Sequence, residues 1–439
     1  MPFLKQSMAF FLYGFMTDQE KLCTYLTSLQ AKGMQMDLAP IQRILQKMQN
    51  PQDAYPSIII GGTNGKGSIC AMISSILAAA GRRVGLYTSP HLVDVRERIR
   101  CDGRMISPAE MAVCIATVRD QGGDTLTYFE FLTAMAFLYF CRKKVDLAIL
   151  EVGMGGRLDA TNVVQPIVSV VSNISLDHQA YLGNRLSQIA GEKAGIIKEE
   201  GICLTAATQK SVLSVLDDIC RGRRARLYRI GRDMNIRRER HGETFVYSGL
   251  ERRYNRLPSP FRGRHQVRNA AVAVGLTEIL SQKGWDIPER AIREGLKKAD
   301  WPGRLEVIQE SPRMVLDGAH NPAGISALCR ALKDDFKYHR LLMIFGVLAD
   351  KDYRRMIGRV ADMADMLILT RPPSERALAP AEMAGMASRY CQNVLVVEDP
   401  EQALHIALSQ AEPKDLICVA GSLYLVGQIK RDWDRRAGR

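Results

Sequence analysis

Apolar positions along this chain alternate between short continuous runs and longer stretches with helical spacing. Ser57-Ile58-Ile59-Ile60 leads into a Gly-rich turn and then into Ile69 to Leu77, whose apolar residues fall on a helical period. The rhythm continues: Arg83 to Thr88 reads as a strand, Pro108 to Arg119 and Phe129 to Cys141 as helices, and Val145 to Val152 as a continuous apolar strand. Pro166 to Asn173 and Gly201 to Ala206 predict further strands around a helix at Leu186 to Ile197. Strands apolar throughout suit a parallel sheet covered on both faces. Upstream, Thr17 to Gln30 and Ala39 to Met48 also carry helical spacing.

Between Arg224 and Tyr254 the pattern becomes shorter and more polar, which predicts a hairpin at the sheet margin. Two helices follow, Gln266 to Gln282 and Pro288 to Lys298, before Ala299 to Arg304 breaks the period as a linker. From Leu305 the alternation starts afresh, with strands at Met314 to Leu316, Leu341 to Phe345, Met366 to Leu369, Val394 to Val397 and Leu416 to Val419. The expected fold is α/β. A P-loop nucleotide-binding domain with a central, mostly parallel sheet spans residues 1–300, and a smaller Rossmann-like doubly wound domain spans 301–439.

Composition narrows the partners more than the fold. The 439 residues, 46% of them hydrophobic, suffice for the cores of two or three domains. A formal charge of +13 favours anionic ligands, whether nucleic acid, phosphates or polycarboxylates. The dense runs Arg221 to Arg226 and Arg237 to Arg240 read as solvated surface. Ten scattered cysteines without a C-x-x-C pair read as buried thiols in a reducing compartment, so the cytoplasm is expected. No apolar run reaches the roughly 18 residues of a membrane span. Met8 to Met16 is apolar after Lys5 but lacks the small-residue cleavage site of a signal peptide.

The candidate chemistry begins at Gly62-Thr63-Asn64-Gly65-Lys66-Gly67-Ser68. A strand that ends in a Gly-rich loop and turns into a helix aims backbone N–H groups and the positive helix end at one point, which suits a phosphate. Lys66 adds a mobile cation, and Ser68 or Thr63 offers a hydroxyl for magnesium. The generic pattern G-x-x-x-x-G-K-[ST] is broken, because Gly67 follows Lys66 and Ile60 stands where the upstream glycine belongs. Glu151, at the carboxyl end of its strand, is placed to hold a hard cation. Asp177-His178 follows the next strand, with His178 read either as a metal ligand or as a hydrogen-bonding residue. Arg157 and Asp159 offer a guanidinium fork for an anion or a local ion pair, and Glu192-Lys193 reads as a surface charge pair. In the second domain Asp317 and His320 either point across a domain cleft at a nucleotide or belong to a capped surface turn. Gly346, followed by Asp350-Lys351-Asp352, ends the neighbouring strand in the same way, so a site completed by closure is expected. No Ser-His-Asp order, H-E-x-x-H or flavin signature supports a simple hydrolase or flavoenzyme.

Nine spaced motifs together resemble the folylpolyglutamate synthase and dihydrofolate synthase branch of the Mur ligase family. They are Gly62 to Ser68, Tyr87 to His91, Thr127 to Glu130, Glu151 to Asn162, Asp177-His178, Glu192 to Lys198, His265 to Asn269, Pro302 to Arg304 and Asp317 to Pro322. The resemblance runs from about Met16 to Tyr424; Met16 to Glu20 fits the start of the family's first helix, leaving Met1 to Phe15 as an extension or a misplaced start. It implies an ATP-dependent amide ligase that joins L-glutamate to dihydropteroate and then to the γ-carboxylate of reduced folates through an acyl phosphate. A monofunctional folylpolyglutamate synthase is the alternative. A Mur-type ligase of cell-wall precursors stands further off, and a nucleic-acid-driven P-loop ATPase is the competing reading from another class.

By the same resemblance, Gly62, Thr63, Asn64, Gly65, Lys66, Gly67, Ser68, Asn269, Arg304 and Asp317 would bind ATP. Ser89, Glu151 and His178 would bind magnesium, with a monovalent cation as a further candidate. Lys66, Lys193 and His320 would act in catalysis, Lys193 as an N-carboxylated side chain whose negative charge suits a metal site better than an ammonium does. Thr127, Tyr128, Phe129, Glu130, Leu158, Asp159 and Ala160 would hold the pterin. The expected partners are small molecules, with neither nucleic acid nor membrane, and the expected state is a monomer.

Overall fold

The computed structural model describes residues 24–33, 35–239 and 243–436. Met1 to Phe15, the start at Met16 and the first turns of the helix expected from Thr17 lie outside them. Among the described residues the strands form three sheets. The first has eight strands: β1 Ser57–Gly61, β2 Val84–Tyr87, β3 Ile99–Cys101, β4 Arg104–Met105, β5 Leu147–Glu151, β6 Val168–Val171, β7 Ile202–Thr205 and β8 Arg226–Arg229. Their order is β4-β3-β2-β5-β1-β6-β7-β8, with β3 and β4 antiparallel at one edge and the other pairings parallel.

The central strands are buried along their whole length, so each needs a cover on both faces. One face packs on the helices Lys66–Ala79, Arg264–Gln282 and Glu289–Lys298, in a core that includes Ile58, Ile60, Met72 and Val274. The opposite face is covered by Pro108–Asp120 and Tyr128–Lys143 near β2 and β5, and by Leu186–Ala194 and Lys210–Gly222 near β7. Register sets the functional end. Ile60 pairs with Glu151 and Gly61 with Val171, so the Gly-rich loop, Glu151 and the residues after β6 leave the sheet at one level.

The region from Arg224 departs from the expected hairpin. Arg226–Arg229 joins the large sheet as its outer parallel strand, and Asn235–Arg238 (β9), Thr244–Ser248 (β10) and Arg253–Pro258 (β11) form a separate antiparallel sheet. Phe245, Tyr247, Tyr254 and Leu257 share the core that contains the helix Arg264–Gln282. The alternation in these strands faces that helix rather than the margin of the main sheet.

Beyond Lys298 the chain enters a six-stranded sheet in the order β12-β13-β17-β14-β15-β16, where β12 is Glu306–Glu310, β13 Arg313–Leu316, β14 Leu341–Phe345, β15 Met366–Leu369, β16 Val394–Val396 and β17 Leu416–Ala420. All pairings are parallel except β12 with β13. Two cores lie on opposite faces of this sheet, which makes it doubly wound. Strand β12 escaped the sequence pattern because it is a half-exposed edge with polar residues at both ends. Among the described residues no helix is long and apolar enough to cross a membrane, and the nine described cysteines are free thiols.

Candidate active site

The loop after β1 is held open by the segment after β6. Asn173 accepts from the Thr63 N–H through its carbonyl (2.8 Å) and from the Asn64 N–H through Oδ1 (3.0 Å). Its Nδ2 donates back to the Asn64 carbonyl at 2.9 Å, and Ser172 Oγ donates to the same carbonyl at 2.8 Å. Thr63 Oγ1 accepts from the Ser175 N–H at 3.0 Å and donates to the Ser175 carbonyl at 3.2 Å. Of the two hydroxyls considered for magnesium, that of Thr63 is therefore committed to the loop, while Ser68 is buried in the first turn of the helix. The first N–H groups of that helix have no carbonyl four residues back, so they remain donors for an anion.

Two glycines of the loop are explained by their neighbours. A Cβ on Gly65 would stand 2.5 Å from Asn269 Oδ1, and one on Gly67 would stand 2.8 Å from the Trp301 ring. The glycine that breaks the generic pattern thus makes room for an indole from the interdomain linker.

Cations gather around this loop. Lys66 Nζ donates to the carbonyls of Gly62 (3.3 Å) and Thr63 (3.4 Å), and Lys193 Nζ donates to the Gly62 carbonyl at 2.9 Å. Lys193 is 5% exposed; burial, with the nearby Lys66 charge, pulls its pKa down to about 7. The expected surface pair with Glu192 is therefore absent, because Glu192 binds Arg157 instead at 2.9 Å. That pairing also replaces the local Arg157–Asp159 contact. Asp159 is buried and caps the following turn, accepting from the N–H of Thr161 (3.0 Å) and of Met154 (2.9 Å).

Glu151 Oε2 accepts from the Ser89 N–H at 3.1 Å, and its carboxyl is pushed up by burial against the pull of Lys66, that N–H and Arg304. Ser89, Glu151, Gly67, Trp301 and Arg304 line one cleft together with Leu423 of the second domain. Among the described residues no group of three or more His, Cys, Asp and Glu side chains is gathered to hold a metal. The oxygen donors of Ser89 and Glu151 in one cleft nevertheless suit a hard cation that takes its other ligands from phosphates and water.

The domains meet at Asp177. Lys351 Nζ donates to its Oδ1 at 2.8 Å and Asn321 Nδ2 to its Oδ2 at 3.0 Å, while His320 Nε2 lies 4.0 Å from Oδ2. Burial pushes the Asp177 carboxyl up, but Lys351, His178 and His320 outweigh it and hold the group below the usual carboxylate range. Asn321 and Asn64 exchange amide hydrogen bonds of 3.0 and 3.3 Å across the same boundary. The imidazoles of His178 and His320 are both pulled down to about 4, by burial first and Lys351 second, so they are neutral at physiological pH. His178 Nε2 lies 3.5 Å from Lys351 Nζ.

His320 therefore reaches the N-terminal domain, whereas the oxygens of Asp317 accept from the N–H of Leu305 at the end of the linker and of Ala319 in its own turn, each at 2.9 Å. Asn269 is buried behind Gly65 and donates to Gln266 at 2.9 Å. Lys351 and Asn321 stand in segments expected at the site but carry no assigned role in the sequence reading, and Asn173 marks only the end of a strand. Their only signal was position, each just past the carboxyl end of a strand or in its turn.

The segments expected to hold the pterin adjoin one another. Thr127 and Glu130 form a capping box that starts the helix Tyr128–Lys143, with the Thr127 N–H donating to Glu130 Oε2 at 2.8 Å. Tyr128 lies under the Arg98 guanidinium at 5.4 Å, and Phe129 packs against Gly153, where a Cβ would lie 2.6 Å from the ring. Leu158 is half-buried and Ala160 is buried in the core that also contains Phe131.

Comparison with known proteins places this arrangement. The family model of the Mur ligase middle domain matches residues 60–277, and that of the Mur ligase glutamate ligase domain matches residues 303–423. The chain is thus an ATP-dependent ligase of the Mur type. It is 34% identical over 411 residues to the dihydrofolate synthase/folylpolyglutamate synthase of Bacillus subtilis, covering 91% of this chain and 95% of that protein. It is 36% identical over 414 residues to a probable bifunctional folylpolyglutamate synthase/dihydropteroate synthase of Haloferax volcanii, covering 90% of this chain but 48% of that longer protein. Among solved structures, Mycobacterium tuberculosis folylpolyglutamate synthase complexed with ADP superposes with a TM-score of 0.89 at 32% identity, covering 95% of this chain and 99% of that one. A bifunctional folylpolyglutamate synthase/dihydrofolate synthase with Mn, AMPPNP and L-glutamate bound gives 0.85 at 30% identity, covering 94% and 97%. The chain belongs to the folylpolyglutamate synthase/dihydrofolate synthase branch of the Mur ligase family.

Proposed function

We propose that the protein uses ATP to form an amide between the α-amine of L-glutamate and two kinds of carboxylate. One is that of dihydropteroate, giving dihydrofolate; the other is the γ-carboxylate of a reduced folate, whose glutamate tail grows. The observation that carries this reading is the convergence of the phosphate loop, through Asn64, and the second domain, through Asn321 and His320, on Asp177. A site divided this way can phosphorylate a carboxylate on one wall and deliver an amine from the other.

ATP lies along Gly62 to Ser68, with Asn269, Arg304 and Asp317 around its nucleoside and outer phosphates. Ser89, Glu151 and His178 would hold magnesium, which would supply charge neutralisation at the transferring phosphate; a role for His178 requires Lys351 to withdraw from its Nε2. The acceptor carboxylate attacks the γ-phosphate, releasing ADP and leaving an acyl phosphate, while Lys66 offsets charge on the phosphate oxygens. The glutamate amine then attacks the carbonyl, and phosphate departs. His320 Nδ1 lies 2.8 Å from the Gly318 carbonyl, which fixes its proton there and leaves Nε2 to accept a hydrogen bond that orients the glutamate amine.

Lys193 is N-carboxylated in this account. A lysine with its pKa near 7 is largely neutral at pH 8 and therefore nucleophilic toward carbon dioxide, and the carbamate replaces a buried cation with an anion beside the metal. A monovalent cation near the carbamate belongs to the same reading. The pterin ring lies between Thr127 to Glu130 and Leu158 to Ala160, where Thr127, Glu130 and Asp159 fix the loops and Tyr128 and Phe129 offer aromatic surface. The enzyme works in the cytoplasm as a monomer, with small molecules as its partners.

ADP formation measured with dihydropteroate and with tetrahydrofolate as separate acceptors, each with and without glutamate, tests this function. Glutamate-dependent turnover with both is expected. Turnover with tetrahydrofolate alone reduces the enzyme to a monofunctional synthase, and turnover with neither refutes the ligase reading.

A further inference from the structure

The helix Pro322–Asp335 touches the N-terminal domain at both ends. Its N-cap, Asn321, meets Asn64 and Asp177. At the far end, about 21 Å away for 14 residues of helical rise, Asp335 Oδ2 accepts from the Gly263 N–H at 2.7 Å. Its Oδ1 is ion-paired with Arg238 of β9, and the Asp335 side chain is only 7% exposed. Beside it Arg264 Nε lies 3.0 Å from Asp334 Oδ2, and the Arg262 guanidinium stands 5.1 Å over the Phe336 ring.

Carboxylates at the carboxyl end of their own helix oppose its dipole. Asp335 is instead aligned with a different helix. It sits at the amino end of Arg264–Gln282, whose N-cap, Gly263, has no side chain with which to cap it. The second domain thus supplies the acceptor for the N-cap's own N–H, the bond that a capping-box carboxylate makes from within its own helix. The capped helix carries Asn269, which packs on Gly65 of the phosphate loop. One carboxylate therefore joins the helix behind the loop to the helix that follows His320 and Asn321.

We propose that Asp335 is a positioning residue for the ligation, the pivot that sets the second domain so that His320 and Asn321 face the phosphate loop. The inference rests on the ligase reading for its rate measurement, but not for its binding and scattering measurements. Full-length Asp335→Ala, Asp335→Glu and Arg238→Gln are compared with the wild type by kcat, by affinity for a fluorescent ATP analogue, by X-ray scattering with AMPPNP and glutamate, and by thermal unfolding. Asp335→Ala lowers kcat by about ten- to a hundredfold, the loss typical of a charge-assisted hydrogen bond. Nucleotide affinity stays within about threefold, since the loop itself is intact, and the liganded particle becomes larger. Asp335→Glu recovers part of the rate. Arg238→Gln, which leaves the Gly263 bond in place, loses less and keeps the proposal testable if Asp335→Ala does not fold.

Wild-type kcat and particle size in Asp335→Ala would overturn the pivot. So would a parallel fall of nucleotide affinity, melting temperature and rate, which is the mark of a structural role only. A wild-type enzyme that forms no ADP with glutamate and an acceptor would refute the ligase function separately, while scattering and nucleotide affinity still judge the pivot.

Discussion

Gly67 shows how one residue links loop, linker and ligand. With the Trp301 ring 2.8 Å from the place of its Cβ, Gly67→Val must displace the indole, at about 1–3 kcal/mol for overpacking. A lower melting temperature is therefore expected, accompanied by a change in Trp301 fluorescence; a wild-type melting temperature would show that the indole is displaced at no cost. Lys193 makes a prediction of a different kind. With its pKa near 7, the folded amine becomes protonated as the pH falls from 8 to 6, so carbamate formation and activity fall with it, by about tenfold in the reactive neutral fraction at pH 6. Lys193→Ala should lose at least a hundredfold in rate with ATP affinity kept; full activity in that variant would remove the carbamate from the account. The residue types at these positions were legible in the sequence, but burial was not. Glu192-Lys193 reads as a surface pair until the fold shows Lys193 turned inward on Gly62 and Glu192 turned outward to Arg157.

At the level of elements, strands buried on both faces announced themselves. Ser57–Gly61, Leu147–Glu151 and Leu341–Phe345 are apolar runs that end in polar turns, and those turns hold the candidate chemistry. Strands at or next to a sheet edge were harder to read, because Ile99–Cys101 and Glu306–Glu310 are short or half-exposed and lack the apolar run. The three-stranded sheet was misjudged for a related reason: its alternation reveals one buried face but not which element covers it. Contacts between elements were the least legible. Lys351 looked like one of three charged residues after a strand, and only the fold sets it 2.8 Å from Asp177. Both side chains are 8% exposed, so removing one leaves an unpaired buried charge, at about 3–5 kcal/mol. Lys351→Ala is expected to loosen the contact between the domains and lower kcat/KM for glutamate by ten- to a hundredfold. A variant with unchanged kcat/KM would show that the pair plays no part in delivering the amine.

For the whole molecule, the central fact is that neither domain holds the site alone. The first contributes the phosphate loop, Glu151 and Lys193; the second contributes Asn321, His320 and Lys351; Arg304 and Trp301 come from the link between them. A net charge of +13 suits a catalyst that must assemble ATP, glutamate and a carboxylate acceptor, all anionic, in one cleft. In the proposed reaction such a division makes turnover depend on both domains, and it makes the chemistry traceable atom by atom. The most direct test uses an acceptor whose carboxylate carries heavy oxygen, followed by mass analysis of the phosphate released during glutamate-dependent turnover. Attack of that carboxylate on ATP transfers one labelled oxygen to phosphate for each amide formed. Amide formation with unlabelled phosphate, or ADP release without amide, would contradict the account.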